Sequence, residues 1–330
     1  LLPDNRKLEQ PGTGLEPGGL ECAGIDFEAQ TGTFPEQIDG RAGRCEGAVM
    51  GRPEGGGGAP RSRLRSVRPG PDPLTPVRRP FAVDIPRIFN IAESAHRIHN
   101  PITPEKLATL GTALRLEPGA RVLDLGSGSG EMLCTWARDH GVVGTGIDMS
   151  PLFTAQARLR AVELGVADQV EFIHGDAAGY VSDEKVRVAA CVGATWIAGG
   201  VAGTIELLGR SLRPGGIILI GEPYWRQLPP TEDVAKGCLA SSTADFLALP
   251  ELLASFGRLG YDVVEMVLAD QDGWDRYEAA KWLTMRRWLE ANPDDELAEE
   301  VRTKLTSEPE RYAAYTREYL GWGVFALMLR

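Results

Sequence analysis

The stretch "LDLGSGSGE", Leu123 to Glu131, decides how this chain is read. An apolar run carries an acid, Asp124, and then sets Gly126, Gly128 and Gly130 on alternate positions. A main chain that thin lets a ligand lie directly against backbone amides. The dinucleotide fingerprint G-x-G-x-x-G needs a small third residue, so that the helix can pack on the strand. Here that position is Glu131, bulky and charged, and Gly130 comes one residue too early. The lysine and hydroxyl residue of a phosphate-binding P-loop are also missing. What remains is D-x-G-x-G-x-G: an acid in a strand, then a glycine curl able to hold a zwitterion. A tight strand-to-helix turn without any ligand is the alternative.

Working outward, β-branched runs alternate with helical segments. Strands are expected at 121–125, 142–148, 170–174, 186–192, 216–221 and 261–269. Helices are expected near 130–139, 151–164, 201–211 and 249–259. This βαβ rhythm predicts an α/β fold, a mostly parallel sheet with helices on both faces. Ligands of such sheets sit at the carboxyl ends of the strands. Asp148 ends the second strand in "VVGTGIDMS", where a carboxylate can accept both hydroxyls of a ribose. Ser150 and Pro151 then form a helix start. Asp176 and Ala177 follow the third strand in "HGDAAGY", a carboxylate and a small neighbour suited to an adenine; an ordinary loop is the alternative.

Together these elements resemble the class I S-adenosylmethionine-dependent methyltransferases. "VLDLGSGSGE" is similar to their glycine motif, "GIDMS" to their ribose acid and "HGDAAGY" to their adenine loop. "LRPGGIILIGEPYW" and "REYLGWGVFALMLR" are similar to their fifth strand and closing strand. The resemblance spans about residues 84–330 and lies nearest the small-molecule enzymes of the ubiquinone-biosynthesis-like group, mainly bacterial. It implies a Rossmann-like seven-stranded sheet whose last strand is antiparallel, and S-adenosyl-L-methionine as cofactor. It also implies that Gly126, Ser127, Gly128 and Gly130 line the methionine part, with Asp124 and Gly193 counted among the cofactor residues. Asp148 and Met149 would hold the ribose, and Asp176 and Ala177 the adenine.

Methyl transfer to a hydroxyl or carbon needs a positioned base, whereas a thiolate or amine acceptor needs none. Glu222, at the expected end of the fifth strand, is the leading candidate, although it can equally serve to hold the surroundings of the cofactor. Trp196 is a candidate wall for the acceptor, with loop packing as the alternative. Tyr224 and Trp225 join it as candidate acceptor contacts, at the head of an insertion over about 222–250. His96 and His99, three apart on the expected N-terminal helix, suit a lid: His96 as an acceptor contact, His99 as an acid or base, or either as a plain surface residue. No metal is expected. Cys191 lies inside a strand and Pro223 at the fifth strand's exit, which disfavours metalloid methylation. Trp274, Trp282 and Trp288, on a helix around 274–290, are expected to pack rather than form a ligand cage.

Composition bounds the rest. The chain has 330 residues, 43% hydrophobic and 25% charged, which is ordinary for a soluble globular protein. Residues 1–80 carry 11 basic and 11 acidic side chains, so the whole net charge of −11 falls on residues 81–330. An acidic body repels phosphate backbones, so a small-molecule acceptor is expected as partner rather than nucleic acid. No apolar run of membrane-spanning length and no secretion signal are seen, and five scattered cysteines suit reduced thiols in the cytoplasm. Residues 1–82, rich in Gly, Pro and Arg, are expected to be a disordered extension or a non-native leader. Residues 83–118 are expected to form a helical lid and 119–330 the core, with added helices at about 273–312. Two functions fit: a methyltransferase acting on a small organic acceptor, or a catalytically silent S-adenosylmethionine-binding protein of the same fold.

Overall fold

A computed structural model describes residues 85–330. The expectations for residues 1–82 lie outside the described residues. The described part opens with α1 (Arg87–Glu93) and α2 (Pro104–Ala113), then alternates. It runs β1 (Arg121–Leu125), α3 (Glu131–His140), β2 (Val143–Asp148), α4 (Pro151–Glu163), β3 (Val170–His174), β4 (Val186–Val192) and α5 (Val201–Gly209). β5 (Leu212–Trp225), α6 (Glu232–Gly237), α7 (Leu249–Arg258), β6 (Tyr261–Leu268), α8 (Gln271–Ala291), α9 (Ala298–Arg311) and β7 (Leu320–Leu329) complete it.

The seven strands form one sheet in the order β3-β2-β1-β4-β5-β7-β6. β1 to β5 are parallel, and β7 enters antiparallel between β5 and β6. Alternate side chains bury on opposite faces, as period-2 strands require. On one face Val122, Val188, Leu219 and Val324 pack with Leu110 of α2, Leu133 and Trp136 of α3 and Ala157 of α4. On the other, Leu123, Ala189, Ile218 and Phe325 pack with Leu208 of α5 and Leu252 and Phe256 of α7. A smaller cluster joins α1 to α8 and α9 through Ile91, Met285, Leu289 and Val301. The strand order reverses between β1 and β4, which opens a crevice at their carboxyl ends, above Leu125 and Val192.

Helix starts follow local chemistry. Thr103 accepts from Lys106 N ahead of Pro104, Ser150 from Phe153 N ahead of Pro151, and Asp270 from Gly273 N at the head of α8. The tryptophans of α8 are packed: Trp274 is buried, Trp282 meets Tyr312 edge-on and Trp288 lies under the Arg87 guanidinium.

Two expectations need correction. β5 runs on to Trp225 rather than stopping at 221, because Tyr224 and Trp225 pair with Gly321 and Leu320 of β7. The connection that follows is therefore shorter and carries α6. The N-terminal helix ends at Glu93, so His96 and His99 are not helical residues but stand in the turns that follow. Ser94 closes the helix by donating its hydroxyl to Ile91 O, and the Glu93 carboxylate gathers both imidazoles beneath it.

Candidate functional site

The glycine loop lies at the carboxyl end of β1. Gly126 N and Ser127 N both donate to Ile147 O, at 2.8 and 3.1 Å, which stitches the loop to β2. Gly128 has a φ of +53°, and a Cβ there would come within 2.6 Å of the His99 ring. Positive φ and close approach together require glycine at this position. Glu131, at the position where a dinucleotide fingerprint needs a small residue, pairs with Arg160 through two bonds of 2.8 and 2.9 Å.

Two carboxylates flank the loop. Asp148, at the end of β2, accepts from Gly128 N at 2.7 Å and from Ser150 N at 2.8 Å. Burial raises its pKa while these two N–H groups pull it back, with a net rise. Each carboxylate oxygen has a second lone pair, so the group can still accept further donors. Asp124 is 3% exposed, and its Oδ1 has no hydrogen-bond partner. Burial, reinforced by the Asp148 charge, pushes its pKa up to about 7. Asp124, Gly126, Ser127 and Gly128 border a cavity of about 60 Å³, roofed by Ile98, His99 and Asn100.

The adjacent strand ends carry the remaining cofactor candidates. Met149 O accepts from the His174 ring at 3.0 Å. Asp176 is exposed and accepts from Ala178 N at 2.8 Å, while Ala177 is buried beneath it. Gly193, just past β4, donates its N–H to Gly221 O at 3.0 Å.

On the acceptor side the candidates disperse. Glu222, half-buried in β5, accepts from the Thr195 hydroxyl at 2.8 Å. Burial pushes its pKa up to about 7, against the lowering effect of that bond. Trp196 follows Thr195 and is 58% exposed. Tyr224 and Trp225 are each buried, on opposite faces of the sheet, and the Trp225 indole donates to Thr243 O. Both stand within β5, where they pair with Gly321 and Leu320 of β7.

His96 and His99 converge on Glu93. His96 Nδ1 lies 2.8 Å and His99 Nδ1 3.2 Å from Glu93 Oε2, and His99 Nε2 lies 2.8 Å from Ser129 Oγ. Glu93, Ser129 and Thr195 were not among the residues singled out from sequence. Glu93 reads there as one acid in a short amphipathic helix, and Thr195 as one polar residue in a small-residue loop. The fold brings Tyr277 to Glu93, His99 to Ser129 and Glu222 to Thr195.

A family model described as "Methyltransferase domain" matches residues 122–216. The uncharacterized protein YjhP of Escherichia coli (strain K12) is 73% identical over 248 residues, 75% of this chain and 100% of that protein. A SAM-dependent methyltransferase from Geobacter sulfurreducens, crystallised in complex with S-adenosyl-L-homocysteine, is 88% identical. It covers 76% of this chain and 100% of its own, with a TM-score of 0.74. A SAM-dependent methyltransferase from Thiobacillus denitrificans, in complex with the same molecule, is 82% identical and covers 75% of this chain and 100% of its own, with a TM-score of 0.74.

Proposed function

We propose, since the chain belongs to the class I S-adenosylmethionine-dependent methyltransferases, that it moves the methyl group of S-adenosylmethionine onto a small organic acceptor by in-line displacement. One observation carries this reading. A glycine loop, a ribose-type carboxylate and an adenine-type loop stand at the ends of β1, β2 and β3, in a chain 88% identical to one crystallised with the demethylated cofactor.

The residues fit that cofactor. Asp124 Oδ1 is a buried acceptor with no partner in the protein, on the cavity that Gly126, Ser127 and Gly128 also border. Gly126, Ser127, Gly128 and Gly130 are assigned to the methionine part, with Asp124 toward its ammonium and Gly193 at its edge. Asp148 and Met149 are assigned to the ribose, and Asp176 and Ala177 to the adenine. When bound, the cofactor supplies an electrophilic methyl group on a sulfonium; the protein orients the acceptor and excludes water. Glu222 is assigned as the base: its pKa of about 7 suits proton uptake near neutrality, and Thr195 fixes the carboxylate. Trp196 is assigned to the acceptor. His99 is assigned to closure of the site, because both of its ring nitrogens are engaged by protein groups. A cytoplasmic setting agrees with the free, buried Cys134, Cys191 and Cys238, and no helix among the described residues is long and apolar enough to cross a membrane.

The test is calorimetry with S-adenosylmethionine, followed by a panel of hydroxyl, amine, thiol and activated-carbon acceptors scored for S-adenosylhomocysteine release. Binding and release by one acceptor class are expected, and no heat at millimolar cofactor would refute the cofactor. Binding without release from any acceptor would favour the silent-binder reading, to which the packed Tyr224 and Trp225 lend support.

A further inference from the structure

Glu93 stands outside the glycine loop and the three strand-end motifs, yet it is the most heavily engaged carboxylate near them. It is 2% exposed. Its Oε2 faces Nδ1 of both His96 and His99, and its Oε1 accepts from the Tyr277 hydroxyl at 2.8 Å, with Lys281 Nζ 4.0 Å away. Burial alone would raise its pKa, but the bonds from His96 and His99 and the Lys281 charge outweigh that and hold it well below the usual carboxylate range. It is therefore an anion that only accepts, and both imidazoles donate to it from Nδ1.

The other end of His99 is settled by counting donors. Gln156 Nε2 donates to Ser94 O at 2.8 Å, which fixes the amide so that its Oε1 accepts. Ser129 spends its single hydroxyl proton on that Oε1, at 2.7 Å. The contact between Ser129 Oγ and His99 Nε2 then has one possible donor, the imidazole. A ring that donates from both nitrogens is the imidazolium form. This cation is stacked on Phe153 with ring centres 4.2 Å apart and seated on Gly128, at the mouth of the cavity that Asp124 borders.

We infer, building on the methyl-donor reading of this cavity, that Glu93 is a positioning residue: it holds His99 as a fixed cation over the glycine loop, where the carboxylate of an amino-acid ligand requires a counter-charge, and it ties the 94–102 segment shut against α8. The molecule recognised at this point is the α-carboxylate of the methionine or homocysteine tail. Glu93 touches neither the ligand nor the reacting atoms; it acts through His99. Tyr277 and Lys281 hold Glu93 from the α8 side without touching His99.

The test combines calorimetric titration of S-adenosylhomocysteine into the full chain with ¹⁵N resonances of the histidine rings. Wild type should show both His99 nitrogens protonated. Glu93→Gln keeps the shape but turns an amide N–H toward the donors, and should lose that ring signature and weaken binding at least tenfold. His99→Gln should weaken binding comparably, and the double variant should be no weaker than either single one, since both changes remove the same contact. Tyr277→Phe, which spares His99, should stay within threefold of wild type. Three results would each overturn the inference alone: additive losses in the double variant, a Tyr277→Phe loss as large as that of Glu93→Gln, or an unchanged His99 signature in Glu93→Gln. If Glu93→Gln does not fold, the wild-type ring signature and the His99→Gln affinity still decide: a singly protonated ring, or unaltered binding by His99→Gln, overturns it. Failure of wild type to bind would bring down the cofactor reading as well, a different outcome from normal wild-type binding with indifferent variants.

Discussion

At the scale of single residues, four carboxylates near one edge of the sheet are set to different tasks by their surroundings. Asp148 is held by two backbone N–H groups, so Asp148→Ala removes charge-assisted bonds to the glycine loop and to the start of α4, besides the ribose contact proposed above. It should weaken S-adenosylhomocysteine binding by about 1–3 kcal/mol in calorimetry. The base role proposed for Glu222 requires its ionised form, so kcat/KM should rise with pH through about 7. Thr195 is the donor that stabilises the ionised form. Thr195→Val should move that limb to higher pH, and Glu222→Gln should abolish it with a fall in turnover of about 10²–10⁴. Asp124 bears on stability instead. Its folded pKa, about 7, lies above its ordinary value of 3.8, so the folded state binds the proton more tightly than the unfolded chain. Stability present at low pH is then lost as pH climbs from about 4 to 7. Asp124→Asn should flatten that decline, which thermal melts at pH 5 and pH 8 would reveal. Glu93 is the contrary case, a buried anion with its donors supplied.

At the scale of elements, β5 and β7 explain what local sequence does not disclose. Strand periodicity near 216–221 is plain, but Tyr224 and Trp225 join the strand because β7 supplies Gly321 and Leu320 from nearly a hundred residues on. A tryptophan after a proline reads as a loop residue until that partner is known. The same close approach makes Gly221 irreplaceable on space alone: a Cβ there would lie 2.7 Å from Val192 Cγ1 and 2.8 Å from Val192 Cα. The backbone of β4 has no slack to give. Gly221→Ala should cost about 1–3 kcal/mol, measured by denaturant unfolding. The helix starts were open to direct reading, since Thr103-Pro104 and Ser150-Pro151 are local devices. The end of α1 was not, because Glu93 finds its partners on α8 and across the following turns.

At the scale of the whole molecule, the strand order determines where chemistry can occur. The reversal between β1 and β4 separates the connections that leave them, and the glycine loop and Gly193 lie on either side of the opening. The cavity at this opening is lined from β1, β4, β7 and the N-terminal segment, so the affinity of a ligand that fills it would add to the stability of the folded unit. S-adenosylhomocysteine at a hundred times its dissociation constant should stabilise the protein by about 2.7 kcal/mol, seen as a rise in melting temperature. Loss of that rise in Asp148→Ala, measured from the variant's own unliganded melt, would tie the effect to the site.

By itself the sequence determined the alternation of strands and helices, the class of sheet, the glycine loop and the positions of Asp124, Asp148 and Asp176. These are legible because each rests on contacts within a few residues: a two-residue or 3.6-residue period, a cap, a turn that needs glycine. The tertiary structure alone decided the length of β5, the burial of Tyr224 and Trp225, the pairing of Thr195 with Glu222 and the gathering of His96, His99 and Tyr277 around Glu93. Thr195 and Glu222 stand 27 positions apart and Glu93 and Tyr277 stand 184 apart; His96 and His99 are only 3 and 6 residues from Glu93, but α8 closes the group around it. No local pattern encodes such a meeting, because it exists only once the sheet has brought distant segments to the same edge.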